Sequence, residues 1–343
     1  MCIRDRYTHI DDLVESVRAV TPQGAWESRR LPGSGAGVSP DRMLIGSEGT
    51  LGVITEAWVR VRPRPAHRAS AGVHFDDFKA GAQAVRALSQ SGLYPTNCRL
   101  IDAGEARVTG AGDGSKALLV LGFESAGHDV ERQMSQALDI CADHGGTWER
   151  RGAGGQSGSR AAPTRPSASR PADGGDAVGS WREAFLRAPY LRDTLISIGV
   201  LSETFETAIT WDKFESFHEA VTRVATDAVH EQSGGQGSVT CRFTHVYPDG
   251  PAPYYTVLAP ARRGEELEQW AAIKRACSDA VIEHGGTITH HHAVGRDHRP
   301  WYDRQRPDAF AAALRGAKAA VDPTGALNPG VLIDLEPSPD RSG

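Results

Sequence analysis

The sequence lacks long apolar runs and closely spaced cysteines. Its longest apolar stretches, residues 117–123 and 195–201, are far shorter than the roughly 20 residues that a membrane-spanning helix requires. Five cysteines are scattered without CxxC spacing, so the sequence predicts neither a zinc site nor a disulfide framework. We therefore expect reduced thiols and a cytoplasmic protein.

The sequence also lacks a basic stripe of the kind that binds nucleic acid. The net charge is -5 over 343 residues, and no run of lysine and arginine is interleaved with aromatic residues, so nucleic acid is excluded as an expected partner. Hydrophobic residues make up 39% and charged residues 24%, which is typical of a folded globular protein. The length predicts two structural units.

The first part of the chain has the residue types of a small β-sheet. Residues 13–26 contain two extended stretches around the turn 21–24, which predicts a hairpin. A glycine-rich segment, residues 46–52, leads into another extended stretch. Pro63 and Pro65 follow it, and because proline cannot donate to a strand ladder the sheet should end near Arg62.

From residue 66 the pattern changes to strands that alternate with amphipathic helices. Two successive parts have the order β-α-β-β-α, and the last helix of each ends at a glycine pair, 145–146 and 285–286. This predicts one antiparallel sheet with helices on one face. A further strand is predicted from Thr287. Between the two parts, residues 151–177 are rich in Gly, Ser, Ala and Pro, which predicts a disordered insertion.

Three consecutive histidines, His290, His291 and His292, follow that last predicted strand. Because side chains alternate along a strand, His291 should face away from the other two, so we predict no metal site here. One or two of the imidazoles could transfer protons or hold an anion. A solvent-facing polar strand end explains the same residues equally well.

Two arginines in apolar surroundings are further candidates. Arg99 and Arg192 should either bind an anionic ligand or pair with a carboxylate, because a buried unpaired charge is costly. Asp102 and Asp193 are the nearest such partners in sequence.

A glycine run and a tyrosine pair complete the candidates. Gly46, Gly49 and Gly52 would let backbone N–H groups approach a flavin or a pyrophosphate, although a turn before a strand needs the same residues. Tyr254 and Tyr255 should face opposite sides of a strand. A buried phenol can act as a general acid or base, although most such tyrosines only pack.

Taken in order, these segments resemble the alkyldihydroxyacetonephosphate synthases, a branch of the vanillyl-alcohol-oxidase-type flavoproteins. The resemblance covers nearly the whole chain after Tyr7. Two segments are shared with FAD-linked oxidases in general, IGSEGTLGVITE (45–56) and DPTGALNPG (322–330). The narrower resemblance depends on YLRD (190–193), ETFET (203–207), CR (241–242) and HHHAVG (290–295).

The resemblance implies an α+β fold in three parts. Residues 1–65 would be the C-terminal part of a PCMH-type FAD-binding domain. Residues 66–300 would be a substrate-binding cap domain with a large antiparallel sheet flanked by helices, and residues 301–343 a helical segment that returns to the FAD domain. The family's pyrophosphate loop would precede Tyr7, so we expect an N-terminally truncated chain that binds FAD weakly or not at all.

The implied activity exchanges the acyl chain of acyl-dihydroxyacetone phosphate for a fatty alcohol, with FAD as cofactor and no net redox change. Reduced-flavin N5 would attack the substrate carbon, and Tyr255 would move a proton, or Tyr254 if the match shifts by one residue. His290, His291 and His292 would ease departure of the carboxylate. Arg99 would join this catalytic group, and Arg192 would bind the substrate phosphate through paired charge-assisted hydrogen bonds. The flavin contacts would be Glu48, Gly49, Thr50, Leu51, Gly52, Val53 and Ile54.

Two other functions stay open at this stage. An FAD-linked oxidase or dehydrogenase of a 2-hydroxy acid, such as lactate or glycolate, would share the glycine loop without needing Arg192. A flavin-free binding remnant is the second alternative. For the synthase, the expected partners are a lipid phosphate and a fatty alcohol, and the sequence leaves peripheral membrane contact and a homodimer open.

Overall fold

The computed structural model describes residues 9–32, 36–148 and 190–335. Their strands form a three-stranded and a six-stranded sheet, and every strand pairing is antiparallel. No helix in these ranges combines the length and the apolar character needed to cross a bilayer. The insertion predicted at 151–177 lies outside the described residues.

The small sheet has the strand order β2-β1-β3. Its strands are β1 (Val14–Thr21), β2 (Gly24–Glu27) and β3 (Val53–Val59). Thr21 is opposite Gly24 at the end of the β1–β2 ladder, and Gly24 has a φ of 125°, a conformation that favours glycine. The predicted hairpin is therefore confirmed. A short helix, α1 (Ile10–Leu13), precedes the central strand β1, and another, α2 (Pro40–Leu44), precedes the outer strand β3.

The large sheet has the order β4-β6-β5-β8-β9-β7. Its first half consists of β4 (His67–Phe75), β5 (Asn97–Ile101) and β6 (Ala117–Ser125). Its second half consists of β7 (Val200–Glu206), β8 (Ser238–Val246) and β9 (Pro251–Pro260). The two halves have mirrored strand orders and join where Ile101 is opposite Arg242. The predicted α+β architecture with one shared antiparallel sheet is confirmed.

Four long helices cover one face of this sheet and share one apolar core with it. They are α3 (Phe78–Gln90), α5 (Glu131–Asp143), α6 (Trp211–Gln232) and α7 (Glu266–Glu283). Asp77 caps α3 by accepting a hydrogen bond of 2.7 Å from Ala80 N, as its position in the sequence predicts. The short helix α4 (Ala103–Val108) packs with Ile101 and Val120 in a separate cluster. Since these two residues alternate with Leu100 and Leu119 of the main core, α4 lies on the opposite face.

The strand predicted from Thr287 is wrong. Residues 287–298 form an irregular loop that leads to α8 (Arg299–Gln305). Its backbone forms hydrogen bonds with side chains instead of with a neighbouring strand. Thr207 Oγ1 donates to Thr287 O at 2.6 Å, and Ile288 N donates to Gln305 Oε1 at 2.8 Å. The turn before it requires glycine at 286, where a Cβ would lie 2.7 Å from the Phe217 ring.

The last described helix, α9 (Asp308–Val321), packs on the small sheet. Leu314, Ala317 and Val321 contact the cluster around Val17 and Leu51. Beside them, the buried Lys318 Nζ donates to Asp322 Oδ2 at 3.0 Å, to Thr50 O at 3.1 Å and to Leu327 O at 2.8 Å. The buried ion pair therefore joins the glycine-rich turn 46–52 to the closing segment 322–330.

Candidate functional site

The face of the large sheet opposite the four helices has a row of polar side chains. Tyr254 of β9 lies between Glu206 of β7 and Arg242 of β8 in the strand register. The Arg242 guanidinium is 3.8 Å from the centre of the Tyr254 ring, and its Nη1 donates to Glu105 Oε1 at 2.6 Å. We call this surface, defined by Glu206, Tyr254 and Arg242, the polar face. The sequence contains a signal for this face, because Arg242 lies between the apolar Cys241 and Phe243 and side chains alternate along a strand.

A bulge brings a further histidine to the polar face. Phe243 is opposite Pro253, and the next paired residue, His245, is opposite Ala252, so β8 has one extra residue here. Strict alternation would have placed His245 with Phe243 in the apolar core. The bulge turns it to the polar face instead. Sequence reasoning missed His245 because nothing in the local pattern marks the extra residue.

The segment 290–295, which we call the histidine loop, packs its imidazoles against His245. The ring centres of His291 and His245 are 4.3 Å apart, and those of His291 and His290 are 4.1 Å apart. One nitrogen from each of the three lies within 4.8 Å of the others. The expectation that His291 faces away from His290 is therefore wrong, because the segment is a loop and strand alternation does not apply to it.

Burial alters the chemistry of His290. Its pKa is lowered from 6.5 to about 3, first by burial and then by the neighbouring imidazoles of His291 and His9. Its Nε2 lies 2.9 Å from the Tyr247 hydroxyl. Burial therefore favours the uncharged imidazole, in which one ring nitrogen donates and the other accepts.

Two carboxylates hold the backbone of the histidine loop from opposite sides. Glu206 Oε1 accepts from the backbone N–H groups of both His291 and His292, the latter at 2.6 Å. Glu48 of the turn 46–52 accepts from Val294 N at 2.7 Å and from Gly295 N at 2.9 Å. The loop is thus bound to the large sheet at one end and to the predicted flavin turn at the other.

Tyr255, the predicted catalytic phenol, lies on the helical side of the sheet. Its side chain is fully buried, its ring stacks on Phe205 at 4.7 Å, and its hydroxyl lies 3.0 Å from His218 Nδ1 of α6. Burial raises its pKa well above the ordinary value. The structure does not bring Tyr255 together with the histidine loop. Tyr254 takes that place, with its ring perpendicular to His292 and 5.4 Å from it.

The two predicted arginines have different surroundings. Arg99 is buried in β5, two residues before Ile101, and therefore faces the same side as Arg242. Arg192 is exposed in a helical stretch, residues 190–197, and within the described ranges no hydrogen bond or ion pair joins it to the histidine loop. Its role as a phosphate ligand remains a prediction.

The turn 46–52 offers an open surface that fits a flat ring such as the flavin. Gly46 has a φ of 84°, and a Cβ there would meet nothing within 4 Å. The following apolar residues Val53 and Ile54 are 56% and 45% exposed. Within the predicted segment, Glu48 to Ile54, the side chains of Val53 and Ile54 are thus accessible to a cofactor, whereas Thr50 and Leu51 are fully buried and could contact it only if the turn moved. The Glu48 carboxylate is already occupied by the histidine loop.

Comparison with known proteins identifies the family of this chain. Residues 64–332 match the family described as FAD linked oxidases, C-terminal domain. The chain is 25% identical to an alkyldihydroxyacetonephosphate synthase of Dictyostelium discoideum, covering 96% of this chain and 54% of that protein. It is 28% identical to the synthase of Caenorhabditis elegans, covering 98% and 57%. It is also 26% identical to the glycolate oxidase subunit GlcD of Bacillus subtilis, covering 87% and 58%.

A solved structure of an alkyldihydroxyacetonephosphate synthase has the same fold, with a TM-score of 0.69 at 22% identity over 95% of this chain and 54% of that one. The chain thus spans little more than half the length of the relatives that it matches.

Proposed function

Because the chain belongs to the FAD-linked oxidases through their C-terminal domain, a family whose cofactor is FAD, we propose that it acts as an alkyldihydroxyacetonephosphate synthase. It would exchange the acyl chain of acyl-dihydroxyacetone phosphate for a fatty alcohol. The observation that carries this proposal is the histidine loop held between the polar face and the turn 46–52 by Glu206 and Glu48. Imidazoles, a phenol and a guanidinium thereby lie beside the segment that would contact the flavin.

The residues of the polar face suit a phosphorylated ester. Tyr254 is the phenol that shares a surface with His292, and a positioned phenol and imidazole can move the proton that an alcohol loses or a carboxylate gains. The Arg242 guanidinium, which is itself paired with Glu105, stacks on the Tyr254 ring and so fixes the orientation of this phenol. Flavin, when bound, supplies the covalent chemistry at its N5 atom.

Arg99 and Arg192 are the proposed ligands of the substrate phosphate. A guanidinium donates two parallel hydrogen bonds to phosphate oxygens. Arg99 is already buried in the sheet beside the polar face. Arg192 lies in a helical stretch whose Tyr190 and Ile198 are strongly exposed, and apolar side chains of this kind suit contact with a lipid chain or a membrane surface.

A second candidate is the oxidation of a 2-hydroxy acid. The specific observation in its favour is the similarity to the glycolate oxidase subunit GlcD over 87% of this chain. The His292 imidazole, which lies beside Tyr254, would accept the hydroxyl proton while an arginine binds the substrate carboxylate. This function would not require Arg192.

Parallel assays separate these functions. Incorporation of labelled fatty alcohol into acyl-dihydroxyacetone phosphate, and dye reduction by glycolate or lactate, are measured with this chain and any longer form that its gene encodes. The synthase predicts incorporation that Arg192→Ala reduces; dye reduction alone would establish the oxidase. Tyr254→Phe should lower the rate by about 10²- to 10⁴-fold, whereas the matched Tyr255→Phe should leave the rate per folded molecule unchanged. Absence of flavin absorbance in every form would instead favour a flavin-free binding protein.

A further inference from the structure

The cluster of His245, His290 and His291 has the composition of a metal site, and we propose that it binds one divalent transition metal ion of the zinc type. One nitrogen from each residue lies within 4.8 Å of the other two. Three imidazoles around Zn²⁺ at about 2.0–2.1 Å would have nitrogens about 3.3 Å apart. The nitrogens would therefore have to approach one another by at most about 1.5 Å when the ion binds.

The surroundings of His290 already orient it as a ligand. Its Nε2 lies 2.9 Å from the Tyr247 hydroxyl, and its Nδ1 is buried without a hydrogen-bond partner among the described residues. If Nε2 carries the proton and donates to Tyr247, the Nδ1 lone pair remains available. Histidines that bind metals usually donate their second ring nitrogen to such a partner, which fixes the tautomer.

Charge and rigidity near the cluster also favour a cation. Glu206 is buried, and within the described ranges it forms no salt bridge; its bonds are to the backbone N–H groups of His291 and His292. This carboxylate places a negative charge beside the imidazoles and holds the backbone that carries two of them. A buried charge of this kind is stabilised by a nearby cation.

The ligand set selects the class of metal. Neutral imidazoles suit zinc, copper, nickel and cobalt, whereas magnesium and calcium require oxygen ligands. Three protein ligands would leave a fourth position for water or a substrate oxygen. The site does not depend on the proposed synthase activity, because the binding of the metal alone can be measured without substrate or flavin.

The test uses the untagged chain after treatment with a chelator. Zn²⁺ titration by calorimetry should show one ion per chain, and Co²⁺ should give the visible absorption of a low-symmetry nitrogen site. His245→Ala and His290→Ala should weaken binding at least 100-fold. His67→Ala, which removes an exposed histidine of β4, is the matched control and should not change binding. Tyr247→Phe should weaken binding about 10- to 100-fold by removing the orienting partner.

Loss of the fold could imitate loss of the metal site, so urea midpoints accompany each titration. His291→Ala is the least disruptive variant, because Glu206 binds the backbone at this position. It should retain the wild-type midpoint in metal-free buffer and still lose the ion. Binding of less than one equivalent, or an affinity that the His245, His290 and His291 variants leave unchanged, would overturn the proposal.

Discussion

The pair formed by His218 and Tyr255 predicts a measurable loss of stability in mild acid. The Tyr255 hydroxyl lies 3.0 Å from His218 Nδ1, and the imidazole also stacks on Phe214 at 5.4 Å. Burial lowers the pKa of His218 from 6.5 to about 4. The folded protein therefore keeps this imidazole neutral at pH values where the unfolded chain protonates it.

The sign and size of the effect follow from that difference. Between pH 6.5 and about 4 the unfolded state binds one more proton than the folded state, so the free energy of unfolding falls as the pH falls. The stability that the neutral His218 contributes is fully present above pH 6.5, the pKa of histidine in the unfolded chain. One pKa unit corresponds to about 1.4 kcal/mol, which gives a loss of about 3 kcal/mol across the window.

The assay is urea unfolding at several pH values between 4 and 8, with His218→Asn as the variant. The asparagine Oδ1 can replace Nδ1 as the hydrogen-bond acceptor but does not titrate. We expect the variant to be less stable at pH 7.5, because it loses the stacking on Phe214, and to lose about 3 kcal/mol less than the wild type on acidification. Parallel pH curves for the two proteins would refute the assignment of a buried, neutral His218.

Three further perturbations test the contacts around the site. Burial raises the pKa of Asp102 from 3.8 to about 6, so this carboxyl group contributes stability at low pH that is lost as the pH rises through that window. The Asp102→Asn variant lacks this contribution, so its stability relative to the wild type should rise by about 2 kcal/mol between pH 4.5 and 8, which urea unfolding of both proteins at the two pH values measures. Lys318→Met leaves the buried Asp322 carboxylate without its cation and should lower the free energy of unfolding by about 3–5 kcal/mol. If the unpaired carboxylate causes this loss, the double variant Lys318→Met/Asp322→Asn should be more stable than Lys318→Met alone. Glu48→Gln weakens the hydrogen bonds that the Val294 and Gly295 amides donate. Hydrogen exchange of these two amides should therefore become faster by a factor corresponding to about 1–3 kcal/mol. The control Glu56→Gln, on the exposed strand β3, should leave both exchange rates unchanged.

The regular elements could be predicted because their signals are local. Asp77 precedes the apolar face of α3 and caps it, and the turn after Thr21 closes the hairpin at Gly24. The repeated β-α-β-β-α order was enough to predict one antiparallel sheet with two similar halves. The cap and the hairpin each depend on residues within one turn, and the sheet follows from the order of elements that are each marked locally.

The site could not be predicted to the same extent, because its geometry depends on irregular backbone. The bulge before His245 changes the face on which this side chain lies, and the loop after Gly286 replaces a predicted strand. The bulge explains why the sequence pattern missed His245, whereas Tyr255 was assigned from the family resemblance, one residue away from the phenol that lies on the polar face. Long-range contacts from Glu48 and Glu206 then fix the loop, and no periodicity reveals such partners.

The two carboxylates that hold the histidine loop couple the two sheets. Glu206 belongs to the large sheet and Glu48 to the turn beside the small sheet, and both bind backbone N–H groups of the same loop. A displacement of either sheet must therefore stretch one set of hydrogen bonds or move the imidazoles. Since charge-assisted hydrogen bonds of this kind contribute about 1.5–3 kcal/mol each, the loop fixes the distance between the turn 46–52 and the polar face. The loop thus does more than present the histidines, because it sets the separation between this turn and the Tyr254 phenol.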